Sequence, residues 1–224
     1  MITALCLLLS AVLACTPAPG DTLKAKLILT EVARNNEANP GRLRTDAGQC
    51  RRFQAESFAA ASEGYRLAGY PGAILHLPEA HADPAVSGRF LGVAWDMPGP
   101  ETGNAFLEAA RYDYDPRLSD KANREAAIAF LAQARAGDIL QMVGTYSTGG
   151  RGTHTLLITR PYDPRLQTLY WADSNFSFRV VDGETLAVVR AYQQRAVDEV
   201  VGWLTANNGN GATLYRLRRD VVRE

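Results

Sequence analysis

One cysteine, one histidine and one acid–amide pair occur along this chain in an order that suits thiol-based acyl transfer. They are Cys50, His154 and the pair Asp173 and Asn175. Such chemistry needs a thiolate at neutral pH, a base that takes and returns a proton, and a group that orients the base. It also needs N–H donors for the oxyanion. Cys50 is the candidate nucleophile and His154 the candidate base. Asp173 or Asn175 is the candidate orienter, and Gln49 with the Cys50 backbone N–H supplies candidate oxyanion donors. Each residue also has a plainer reading. A lone cysteine is often a small buried hydrophobe, a strand histidine is often simply hydrogen-bonded, and Asp and Asn favour turns. The other two cysteines, Cys6 and Cys15, lie near the N-terminus. Only His76 and His81 accompany His154, five positions apart in a proline-rich stretch with Glu79 and Asp83. That spacing is not a helical metal pair, and neither metal nor cofactor is implied.

Elements must bring these residues together across long separations. His154 lies 104 positions after Cys50, and Asp173 lies 19 positions after His154. Thr45 or Asp46 can cap a helix in which Cys50, Phe53, Ser57, Ala61 and Tyr65 recur at helical spacing. Cys50 would then sit in the first turn, where free N–H groups and the positive dipole end favour a thiolate. Ser119 caps a second expected helix running to Gly137. Strands are expected over 138–143, 153–159, 169–172, 176–181 and 212–217, with Asp173 and Asn175 in the turn between two of them. Apolar spacing from Leu186 to Leu204 predicts a long helix over 185–205. Residues 23–34 read as a short helix or strand, and Asn35 to Gly41 as a turn. Segment 69–118 carries many prolines and glycines with little periodicity, which suits a lid or binding loop. Phe106, Leu107 and Ala110 there mark a helical turn or two. Helices followed by an antiparallel sheet predict an α+β domain.

Four short motifs resemble those of CHAP domains, the cysteine- and histidine-dependent amidohydrolases and peptidases within the papain-like superfamily. They are Gly48-Gln49-Cys50-Arg51-Arg52-Phe53, Gly137-Asp138-Ile139, Gly152-Thr153-His154 and Asp173-Ser174-Asn175, the last with Asp in place of the family's Glu. The Asp-x-Asn-aromatic turn, with a helix and strand after it, also resembles secreted effector cysteine proteases of the YopT type. The resemblance implies a papain-like fold, in which a nucleophile helix packs on an antiparallel sheet. Segment 69–118 is an insertion by that standard, and the C-terminal helix is extra. It further implies Cys50 as nucleophile, His154 as base, and Asp173 with Asn175 as its acid and amide partners.

The first fourteen residues are uncharged and mostly apolar, too few to span a bilayer and suited to a signal peptide. Val12-Leu13-Ala14-Cys15 resembles the bacterial lipobox, which implies lipidation at Cys15, export and membrane anchoring, with residues 15–22 as a linker and 23–224 as the hydrolase domain. Cys50 would then be the one free thiol of the mature chain. Lys plus Arg number 24, equal to Asp plus Glu, so nothing points to a nucleic-acid partner. The expected activity is hydrolysis of amide bonds, with peptidoglycan stem peptides or cross-bridges as substrate. The alternatives are a protease acting on a protein partner and a catalytically inactive lipoprotein binding module on the same fold.

Overall fold

The computed structural model describes residues 17–38, 43–44, 50–77, 80–81, 94–95, 99–146, 150–181 and 183–224. Helix α1 spans Pro19–Ala38 and α2 spans Cys50–Ala61. Short strand β1 (Leu43–Arg44) lies between them, and β2 (Tyr65–Leu67), β3 (Ala80–His81) and β4 (Ala94–Trp95) follow α2. Then come β5 (Phe106–Asp113), α3 (Asp120–Leu131), β6 (Ile139–Thr145), β7 (Arg151–Asp163), β8 (Thr168–Val181) and β9 (Glu184–Ala196). Helix α4 (Val197–Thr205), β10 (Gly211–Leu217) and β11 (Val221–Arg223) close the chain.

The central sheet is antiparallel and ordered β1-β9-β8-β7-β6-β10-β5. A separate pair, β11 with β2, ties the C-terminal residues to the chain just after α2. Successive strand residues serve opposite faces of the sheet. Leu140, Met142, Leu156, Ile158 and Leu214 join Phe130, Leu131, Val200, Val201 and Trp203 of α3 and α4 in one core. Ile139, Leu157, Tyr215 and Leu217 join Leu23, Leu27 and Phe58 of α1 and α2 in another. The sheet is thus covered by helices on both faces, an α+β arrangement as expected. Each fully buried Leu, Ile or Phe contributes roughly 1.5–3 kcal/mol.

Several local expectations give way to tertiary structure. Pro19 and Gly20 do not belong to a linker: α1 starts at Pro19, where the missing proline N–H costs nothing. Residues 23–34 are helical, and α1 continues through Asn35 and Asn36 instead of turning. Burial of Leu23, Leu27 and Asn35 against the rest of the protein outweighs the turn preference of asparagine. Phe106–Asp113 forms the edge strand beside β10, not a helical turn, so part of segment 69–118 belongs to the central sheet. The helix at Ser119 does form, and the Ser119 hydroxyl accepts the Ala122 N–H. It ends at Leu131, short of Gly137. The strands expected over 169–172 and 176–181 are one strand, β8, with shifts of register around Asp173 in place of a turn. Residues 184–196 pair with β8 as β9, so only Val197–Thr205 of the helix expected over 185–205 is helical. Thr185, Val188 and Val189 suit a strand, and cross-strand pairing decides where periodicity is ambiguous. Asp198 and Glu199 favour a helix start at Val197.

Candidate functional site

Cys50 is the first residue of α2, and His154 sits on β7 in register with Met142 of β6. Asp173 lies on the neighbouring strand β8. The helix and two strands bring the three residues into one chain of contacts. The His154 Nε2 lies 3.2 Å from Asp173 Oδ2, which leaves Nδ1 for the Cys50 thiol, to which His154 is also hydrogen-bonded. The Thr155 backbone N–H donates to Cys50 Sγ at 3.3 Å, and the Arg51 N–H donates to the same sulfur. His154 and Asp173 are buried, whereas Cys50 keeps partial exposure.

The electrostatics follow from these contacts. Burial alone pushes the Cys50 thiol up. The bond and charge of His154 and the two backbone N–H groups outweigh it, so the thiol lies below its ordinary value. Burial works against a charged imidazole, yet the bond to Asp173 and then that to Cys50 raise His154 from 6.5 to about 9. Both shifts favour a thiolate–imidazolium pair at neutral pH.

Asp173 is anchored from a second side. The Trp171 indole N–H donates to Asp173 Oδ2 at 2.8 Å, and Trp171 is itself fully buried. The Trp203 ring meets Trp171 and Tyr146 edge-on, at 6.5 Å and 5.3 Å between centroids. Tyr146 is close enough to Cys50 and Asp173 that, after burial, their negative charges push its phenol up. Trp171, Thr155 and Tyr146 were not singled out from sequence. Trp171 was readable in principle, since residues two apart on a strand share a face. That inference needed β8 to be read as continuous through Asp173.

Asn175 belongs to β8, but its side chain lies outside the described residues, as do Gln49, Cys15 and the residues expected to cap α2. Asp173 is the partner on His154 Nε2. The His76 ring faces two carbonyl oxygens, of Leu77 and Thr102. Among the described residues no cluster of three or more His, Cys, Asp or Glu could hold a metal ion. Among them too, no helix is long and apolar enough to cross a membrane. Chemically, the arrangement can present a partly exposed thiolate beside a protonated imidazole whose ring is oriented by the buried Asp173 side chain. Comparison with known proteins finds no matching family model, no matching curated protein and no matching solved structure.

Proposed function

We propose that the protein is a papain-like cysteine hydrolase of amide bonds, with Cys50 as nucleophile. The observation that carries this reading is the continuous hydrogen-bonded series from Cys50 through His154 to Asp173, with Trp171 behind it. Cys50 Sγ attacks the amide carbonyl carbon, forming the C–S bond of a tetrahedral intermediate. His154 then donates its proton to the leaving amine as the C–N bond breaks, giving a thioester. Water, deprotonated by His154, attacks the thioester carbonyl and releases the acid, and Cys50 returns to a thiolate. The backbone N–H of Cys50 is the oxyanion donor this reading assigns at the start of α2, together with Gln49. The family resemblance assigns Asn175 as an auxiliary amide.

The substrate class favoured is the peptidoglycan stem peptide or cross-bridge, reached by an exported protein anchored through lipid on Cys15. That part rests on the N-terminal residues and on the motifs around Cys50 and His154. No cofactor takes part in this reading.

The test is the rate of iodoacetamide alkylation of Cys50 against pH, in the wild type and in His154→Ala. Alkylation that stays fast well below pH 8.5, the range of a free thiol, and loses that advantage in His154→Ala supports the reading. A Cys50 that reacts only on unfolding, or is indifferent to His154→Ala, overturns it. Cleavage of muropeptides, lost in Cys50→Ala, then tests the substrate class.

A further inference from the structure

Four segments converge at one end of the molecule: the first turns of α1, the loop between α3 and β6, the hairpin joining β7 to β8, and the turn between β10 and β11. Lys24, in the second turn of α1, packs on Gly137 so closely that a Cβ there would lie 2.8 Å from its Cγ. The Gly137 N–H donates to the Ile158 carbonyl at 2.9 Å, two residues before Arg160, and the Tyr162 N–H donates to the Ala134 carbonyl at 3.3 Å. A Cβ at Gly20 would lie 3.8 Å from the Arg218 carbonyl oxygen.

The charges of these segments do not balance. Each acid among them is already engaged: Asp21 by Lys24, Asp138 by Arg216, Asp220 by Arg218, and Asp163 Oδ1 by the Arg165 and Leu166 N–H groups of the hairpin turn. Arg135, Arg160, Arg165 and Arg219 are exposed, and among the described residues none of them meets a carboxylate. Arg160 lies over the Tyr170 ring, 5.5 Å from its centroid. At the tip of the same hairpin Leu166 is 66% exposed, and Arg160, Tyr162, Arg165 and Tyr170 line a surface cavity of about 450 Å³. Arginine suits a phosphate, tyrosine the membrane–water interface, and an exposed leucine the acyl boundary just beneath it.

The tether leads to the same end. Helix α1 starts at Pro19, and the Ala18 carbonyl already accepts the Asp21 and Thr22 N–H groups. With lipid on Cys15, the four residues from there to Pro19 reach at most roughly 14 Å, so this end of the molecule stays at the membrane surface. We propose that this end docks on an anionic phospholipid surface, with Arg160 and Arg165 of the β7–β8 hairpin on headgroup phosphates and Leu166 at the acyl boundary. This rests on the lipid anchoring in the proposed function, and not on its chemistry. The docking end is separate from the Cys50 site: Thr155, whose N–H holds the Cys50 sulfur, lies five positions before Arg160 on β7, roughly 16 Å along the strand.

The experiment reconstitutes the exported protein into vesicles of phosphatidylethanolamine, with or without phosphatidylglycerol, whose brominated acyl chains quench tryptophan. Leu166→Trp puts the probe at the hairpin tip. Leu118→Trp, half-exposed before the start of α3, is the control, at the opposite end of that helix from Arg135 and roughly 20 Å away. Both are read against the wild-type background. Quenching at position 166 is expected to exceed that at position 118 in vesicles with phosphatidylglycerol, and to fall without that lipid or with added salt. In the Leu166→Trp protein, Arg160→Gln and Arg165→Gln are each expected to lower the ratio of docked to undocked molecules about five-fold, the effect of one basic residue near an anionic surface. Equal quenching at the two positions, or quenching at position 166 that ignores both arginines, overturns the proposal. The mass of the purified chain reports lipid on Cys15 separately. A chain without lipid that is still quenched more at position 166 ends the anchoring part of the proposed function and leaves the docking surface standing. Should Leu166→Trp not fold, amide hydrogen exchange of the wild type decides: phosphatidylglycerol vesicles are expected to slow exchange across the hairpin tip, and unchanged exchange there overturns the proposal.

Discussion

Two buried aspartates on this sheet are provided for in opposite ways. Asp138 precedes β6 and is almost fully buried, yet every valence is answered. Arg216 donates to it twice, at 2.9 Å and 2.7 Å, and the Arg135 N–H donates at 3.0 Å. Asp173 is equally buried but has one oxygen shared by His154 and Trp171 and one oxygen with no partner. The first is a closed ion pair that ties β10 to the start of β6. The second is tied to a titratable ring that reaches a partly exposed thiol. Complete satisfaction suits a residue that holds the fold, and incomplete satisfaction beside a perturbed pair suits the chemistry proposed above.

The largest effect expected of that contrast is on stability. Asp138→Ala leaves the Arg216 guanidinium without its buried partner and should cost about 3–5 kcal/mol, measured by denaturant unfolding. Alkylation of Cys50 in the protein that remains folded should keep its wild-type pH profile. A changed profile would break the division of labour. Asp173→Asn should do the reverse. Loss of the orienting carboxylate should slow Cys50 alkylation near pH 6 by roughly 10–100-fold, while the unfolding midpoint moves little.

A smaller effect concerns pH. His154 is raised from 6.5 to about 9, so its contribution to stability is complete below pH 6.5 and is lost as pH rises through about 9. Glu31 is raised above its ordinary 4.5, so its contribution is complete below that value and is likewise lost on the alkaline side. Cys50 is lowered from its ordinary 9.0, so its contribution grows as pH rises toward 9 and offsets that of His154. The pair should therefore add little slope to the unfolding free energy between pH 6.5 and 9, and a fall over that range should emerge in Cys50→Ala, where the His154 shift acts alone. A slope unchanged by that substitution would separate the dyad from the pH dependence. The smallest effect is remote from both aspartates. Ser119→Ala removes the cap of α3 and should cost about 1 kcal/mol, with no change in Cys50 alkylation.

The grouping of Cys50, His154 and Asp173 was more legible than the architecture around it. A thiol at a helix start, a histidine in an apolar strand and an acid one hairpin later could be read from Cys50, His154 and Asp173, because residue type and order carry that information. The region between residues 173 and 196 was not legible in the same way. Leu186, Val189 and Tyr192 recur at helical spacing, yet the segment pairs with β8. Apolar recurrence over a short run does not separate a helix from a buried strand. The buried contact of Glu31 with Gln54 was missed because a polar residue on an α1 stripe reads as surface unless the partner helix is known.

The sequence by itself determined which groups are available for chemistry, in what order, and that helices precede most of an antiparallel sheet. These depend on side-chain identity and on local preferences of a few residues. Tertiary structure decided that β8 runs unbroken through Asp173, that the Trp171 indole N–H reaches Asp173, and that Gln54 of α2 meets Glu31 of α1. Those outcomes depend on contacts between residues far apart in the chain, whose burial and pairing outweigh local preferences of a few tenths of a kcal/mol per residue.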